Sequence, residues 1–309
     1  MRDAVRLRVQ VDDPLPVALR LPDVETVTLW DSQDGAAERA VGRARDVAAA
    51  LVVARVLDSD QVESRLRRLH AETQLEEALD GAAYVAEAVP EDLALKQDVF
   101  RRLDRAAPRE TVLASNTSGY DPASLANLLA HPERVLVAHY FGPAYLIPAV
   151  EVVPHAGTAD WAVDRTVALL TAAGKRPIRL GKFVPGFVAN RLQQALFREA
   201  LWLLREGVVT PEELDEIVRY SFGPRLAALG PMTVADFAGL DVYASLTTNV
   251  WPTLSTEPAT DAPPQEITTR TASGRLGTKK GGGFFDWPED RRSAVAAVRD
   301  AALARALQA

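Results

Sequence analysis

The chain has 309 residues, 48% of them hydrophobic and 25% charged, enough to bury the cores of two domains. It contains no cysteine, which excludes a disulfide framework and any thiolate metal site, and its four histidines, at positions 70, 131, 139 and 155, form no close metal-ligand motif. The formal charge of −7 offers no basic surface to nucleic acid or an anionic membrane. Apolar runs break well before the ~18 residues of a membrane span and the N-terminus has no signal-peptide core, so the expected address is cytoplasmic by default.

Residues 4–11 (AVRLRVQV) alternate apolar and polar side chains as a strand does, and 25–31 (ETVTLWD) read as the next strand. The link between them, Asp12-Asp13-Pro14-Leu15-Pro16-Val17-Ala18-Leu19-Arg20, lacks the G-x-G-x-x-G that brings a backbone close to a pyrophosphate; the first glycine of the chain is Gly35. Pro14 and Pro16 have no N–H to donate. Asp12 and Asp13 place negative charge where phosphates would lie, at about 1 kcal/mol each for a surface-like dielectric. The expectation is that dinucleotide binding is lost.

Downstream, a helical run from Ser32 or Asp34 to Val53 and an amphipathic piece over 61–69 lead to the strand 82–89 (AAYVAEAV), the helix 93–106 and the strand 111–115. The stretch Ser115-Asn116-Thr117-Ser118-Gly119, then Val135 to Phe141, then Val150 to Val153, sets polar residues at the ends of apolar runs, where α/β folds place reacting groups. Glu151, twelve residues beyond His139, can orient the imidazole and stabilise its charged form, which would make the pair a general acid/base. A helix over 161–173 and a strand over 177–180 complete an alternation that implies a doubly wound, mostly parallel sheet.

From Pro185 strand patterns almost vanish. Apolar-periodic runs cover 187–205, opened by Pro185, then 211–219 and 232–246; a Pro/Thr-rich loop spans 253–264, an ordered glycine-rich turn 274–287 and a closing helix 291–309. The expected organisation is an α/β domain over 1–182 and an all-α domain over 183–309 that serves substrate binding and dimerisation.

The segments SNTS, AHYFGP, IPAVEVVP and PGFVANR resemble, in order and spacing, the signature set of the L-3-hydroxyacyl-CoA dehydrogenase family, and residues 221–241 and 274–287 resemble its C-terminal domain. The resemblance implies a Rossmann-like first domain without its G-x-G-x-x-G loop and a homodimer. It also implies that Ser118 hydrogen-bonds the substrate's 3-oxygen, that His139 is the acid/base with Glu151 as its partner, and that Asn190 helps hold that oxygen. Asp31 matches the acidic residue on the adenine ribose, although it could equally cap the next helix, and Glu91 and Lys96 match cofactor-contacting positions. Gly142 departs from the family, which usually has Asn there.

With the acid/base set retained and the cofactor loop missing, the leading expectation is a cofactor-independent enzyme. It would perform aldol or retro-aldol cleavage, dehydration, cyclisation or decarboxylation on a β-hydroxy or β-oxo acyl compound, presented free or as a CoA or carrier-protein thioester. One alternative is an NAD- or NADP-dependent 3-hydroxyacyl-CoA or 3-hydroxy acid dehydrogenase or ketoreductase with an atypical loop. Another is a structural homologue without catalysis.

Overall fold

The computed structural model describes residues 6–9, 26–53, 58–255 and 263–306. The link from Asp12 to Arg20 lies outside them. The chain divides into two units, the first running to Asn190 and the second from Arg191 to Ala302.

The first unit is built on an eight-stranded sheet of β1 (Arg6–Val9), β2 (Thr26–Trp30), β3 (Leu69–Glu72), β4 (Tyr84–Glu87), β5 (Val112–Ser115), β6 (Val135–Tyr140), β7 (Ala149–Pro154) and β8 (Arg176–Arg179). Their order is β3-β2-β1-β4-β5-β6-β7-β8, and every neighbouring pair is parallel except β6 with β7. The order reverses between β1 and β4, so the carboxyl ends of these strands frame the crevice in which such sheets bind ligands. The expected amphipathic piece over 61–69 splits into a helix, Ser59–Leu66, and the strand β3. Only Leu69 of that strand is buried, too little for an alternating pattern to show in four residues.

Helices cover both faces, as a parallel sheet requires. On one, α1 (Ala36–Val53) presents Ala37, Ala40, Ala44 and Ala48, a small-residue stripe at helical spacing that permits close approach to Val27 and Leu29. After α2 (Ser59–Leu66) and α3 (Leu75–Leu79), the opposite face is packed by α3 and α4 (Leu93–Ala106), through Leu79, Phe100 and Leu103, and by the short α5 (Pro122–Ala126). The first face is completed by α6 (Asp160–Ala172), through Ala162, Val163 and Leu170. Asp92 caps α4, its carboxylate accepting the Leu95 N–H at 3.0 Å. Two phenols, Tyr84 and Tyr140, lie next to each other in the apolar layer, and burial pushes both up from the ordinary tyrosine range.

The helix carrying Asn190 does not open at Pro185 as expected. Residues 185–188 form a turn in which Phe187 takes a left-handed conformation, φ 51°, and α7 (Ala189–Arg205) begins after it. The second unit continues with α8 (Pro211–Tyr220), α9 (Gly223–Leu229), α10 (Pro231–Ala238), α11 (Leu240–Val250), α12 (Gln265–Ala272) and, as far as Ala302, α13 (Glu289–Ala306). The expected single run over 232–246 is two helices, because Gly239 at φ 96° turns the chain in a conformation that side-chain-bearing residues avoid. Thr210 and Glu213 form a capping box at α8; the backbone and hydroxyl of Thr210 hold the Glu213 carboxyl below its usual range. The glycine-rich segment is an ordered turn: Gly277 bridges Gly282, and Arg275 donates to the Gly283 carbonyl at 3.1 Å and to Asp286 at 2.8 Å.

Candidate active site

Strand pairing creates the centre of the site. His139 on β6 and Glu151 on β7 are register partners in the antiparallel pair, so their side chains leave the same face side by side. The twelve-residue spacing is therefore a cross-strand contact. Both residues are buried, and His139 Nδ1 lies 3.0 Å from Glu151 Oε2. The other carboxylate oxygen, Oε1, accepts the N–H groups of Val188 and Ala189, each at 3.0 Å. These amides are free to point at Glu151 because they open α7, where backbone donors have no partner within the helix. A carboxylate held at both oxygens cannot turn away, so it fixes Nδ1–H as the imidazole's donor and leaves Nε2 to exchange a proton. Phe141 and Phe187 stand against the ring, with centroids 4.7 and 5.3 Å away.

Two other expected residues lie on segments tied to this pair. Asn190 follows directly on the amides that hold Glu151, in the first turn of α7. Ser118 is exposed on the loop after β5. Asn116 ties that loop to β6, since its Oδ1 accepts the Tyr140 N–H at 2.9 Å, one residue beyond His139. Ser118 is itself held by its backbone N–H, which donates to Glu91 Oε1 at 3.1 Å.

Lys96 does not reach into open space. It is 1% exposed, and its ammonium faces Glu87 Oε1 at 3.0 Å, the Val89 carbonyl at 2.9 Å and Glu91 Oε2 at 3.3 Å. Asn116 falls in the expected stretch Ser115–Gly119, whereas the sequence assigns no role to Glu87, Phe141 or Phe187. The one available signal was a carboxylate, Glu87, inside the apolar run YVAEAV.

At the carboxyl end of β2, Asp31 borders a cavity of about 480 Å³ lined also by Trp30, Gln33, Glu72, Thr73 and Arg102. Asp31 Oδ1 accepts the Gln33 N–H at 2.8 Å, so the residue does serve the turn before α1. Arg102 stacks over Trp30, 5.3 Å from the ring centroid. No group of three or more His, Asp or Glu side chains among the described residues could hold a metal ion, and no described helix is long and apolar enough to cross a membrane.

Comparison with known proteins overturns one expectation. The profile of the 3-hydroxyacyl-CoA dehydrogenase NAD-binding domain matches residues 23–183, and that of the same family's C-terminal domain matches 186–287. The chain is 36% identical over 223 residues to 5-formyl-3-hydroxy-2-methylpyridine 4-carboxylate 5-dehydrogenase of Mesorhizobium japonicum, covering 72% of this chain and 71% of that one. It is 41% identical over 233 residues to L-carnitine dehydrogenase of Streptomyces griseus subsp. griseus, covering 73% and 68%. The crystal structure of 5-formyl-3-hydroxy-2-methylpyridine 4-carboxylic acid 5-dehydrogenase, an NAD+ dependent dismutase, superimposes with a TM-score of 0.87 at 30% identity over 99% of both chains.

The cofactor-independent, non-redox reading, with no cofactor at all, is therefore wrong. It rested on Asp12–Pro16, outside the described residues, whereas the NAD-binding match starts at residue 23 and rests on the sheet and helices beyond that link. Binding of a dinucleotide is spread over several strand ends, and one atypical loop does not cancel the rest. From the match of both domain profiles and the full-length likeness to a dehydrogenase, the chain belongs to the 3-hydroxyacyl-CoA dehydrogenase family and is an enzyme of that family.

Proposed function

We propose that this protein is an NAD-dependent dehydrogenase that interconverts a 3-hydroxyacyl compound and its 3-oxo form. The observation that carries this reading is the His139–Glu151 pair, fixed by Val188 and Ala189 beside the Ser118 loop. Ser118 and Asn190 hold the substrate's 3-oxygen, His139 Nε2 takes its proton in the oxidation and returns it in the reduction, and Glu151 stabilises the imidazolium between. A nicotinamide held at this edge would supply the hydride acceptor.

The residues present suit a dinucleotide at the carboxyl ends of the strands. Asp31 offers a carboxylate to a ribose diol, with Glu91 near Ser118; Lys96 is turned to Glu87 and the Val89 carbonyl and does not line the site. The lining of the Asp31 cavity supports NAD over NADP. Among the described residues, Asp31, Asp34, Glu38 and Glu72 border it against a single cation, Arg102. Hydroxyl groups donate to such a lining, whereas a 2′-phosphate is repelled by it.

Calorimetric titration is expected to show NADH binding at least tenfold more tightly than NADPH, and Asp31→Ala narrowing that gap. Equal affinities would remove the role given to Asp31, and no binding of either would remove the cofactor assignment. Formation of NADH from NAD+ with 3-hydroxyacyl-CoA thioesters and with free 3-hydroxy acids then tests the reaction and shows which acyl form is used.

A homodimer is the second part of the reading. The helical unit exposes Leu192 at 60%, Met232 at 77%, Phe237 at 81% and Trp251 at 67%, more large apolar surface than a monomer usually leaves to water. Light scattering is expected to give twice the chain mass of 33.5 kDa. A monomer at micromolar concentration excludes it.

A further inference from the structure

The buried ion pair beneath the Ser118 loop takes no part in the chemistry described above. Glu87 at the end of β4 and Lys96 on α4 are each 1% exposed, too costly an arrangement to arise as surface charge. Both are fully engaged. Glu87 Oε1 accepts from the Val89 N–H at 2.6 Å and from Lys96, and its Oε2 accepts from Ser115 Oγ. The three donors of the Lys96 ammonium meet Glu87, the Val89 carbonyl and Glu91. Glu91 is different: its side chain is 46% exposed and could turn to water. What it holds is the loop, through Thr117 Oγ1 and the Ser118 N–H, while Thr117 Oγ1 in turn accepts the N–H groups of Gly119 and Tyr120. Ser115 Oγ accepts the Thr117 N–H at 3.1 Å, closing the circuit back to Glu87.

We propose that Glu87 and Lys96 are positioning residues for Ser118: the pair anchors Ser115 directly and pins Glu91, and these two grips set the loop that carries the serine hydroxyl. Lys96 thus acts on the reaction from behind, through Glu91. The inference rests on Ser118 contacting substrate as set out above. A displacement of the order of an ångström in such a group costs catalysis strongly while leaving cofactor affinity alone.

The test removes both charges together, Glu87→Gln with Lys96→Met in the full chain, so that no buried charge is stranded. On the cofactor-free protein, amide hydrogen exchange at Thr117, Ser118 and Gly119 should quicken at least tenfold, with the rest of the sheet unchanged. With NAD+ and substrate, kcat should fall about tenfold or more at unaltered NADH affinity, and adding Ser118→Ala should cost little further, since both changes spoil one contact. Thr117→Val, which deletes only the bridging hydroxyl, should reproduce both effects and serves if the double variant does not fold.

Unchanged exchange, or losses that multiply fully with Ser118→Ala, would overturn the proposal. Weakened NADH binding at full kcat would do so too, by showing Lys96 to serve the cofactor directly. Normal turnover in Ser118→Ala alone would instead sink the role given to the serine, and the exchange arm would still decide what holds the loop.

Discussion

Replacing Glu151 by Gln is expected to lower kcat by about 10²–10⁴-fold with the fold intact, close to the loss from His139→Ala. The size of the effect follows from the two bonds the carboxylate makes at once. Oε1 accepts two backbone N–H groups and Oε2 faces Nδ1 of the imidazole. A glutamine has one oxygen and one NH2, and the paired amides of Val188 and Ala189 claim the oxygen. The NH2 then faces His139, so Nδ1 becomes the acceptor and the proton moves to Nε2. The imidazole now presents a donor where a base is needed. Nitrogen-15 chemical shifts of His139 would report this tautomer exchange directly, and circular dichroism would confirm the fold. A Glu151→Gln variant within threefold of the parent kcat would falsify the assigned role of the dyad.

Much of this candidate site was legible in the sequence because its parts lie at the ends of short apolar runs. The alternation of strands and helices to residue 182 and the spacing from His139 to Glu151 both report sheet geometry, and a β6–β7 hairpin turns that spacing into contact. What stayed hidden is of another kind. Phe187 holds a left-handed backbone with a side chain that does not advertise it, in the turn that delivers two amides to Glu151. Glu87 and Lys96 meet across a strand end and a helix, and nothing in their separation distinguishes that contact from two solvated charges. The cofactor was misread for a third reason. Asp12–Pro16 is conspicuous in one dimension, whereas the strand ends that build a dinucleotide site come together only in the folded sheet.

Arg134→Met is expected to destabilise the first unit by about 3–5 kcal/mol, the largest stability effect of any single substitution considered. Arg134 is wholly buried in the turn Pro132–Arg134 just before β6. Its guanidinium meets Asp104 Oδ1 at 2.9 Å and the Asp104 and Pro108 carbonyls at 2.7 and 2.5 Å, while Asp104 Oδ2 accepts the Ala130 N–H at 2.7 Å. One ion pair thereby joins α4, the residues after it, the chain beyond α5 and the start of β6. Methionine fills the volume but strands the Asp104 carboxylate in the core, and that stranded charge, more than the lost attraction, sets the cost. Adding Asp104→Asn removes the charge and keeps an acceptor for Ala130, so the double variant should recover a large part of the loss. At about 2–4 °C per kcal/mol the single variant should melt roughly 10 °C lower; a drop under 2 °C would refute the argument. Arg134 sits at the opposite end of β6 from His139, so kcat measured well below the melting temperature should be unchanged, separating what holds this sheet together from what its carboxyl edge does.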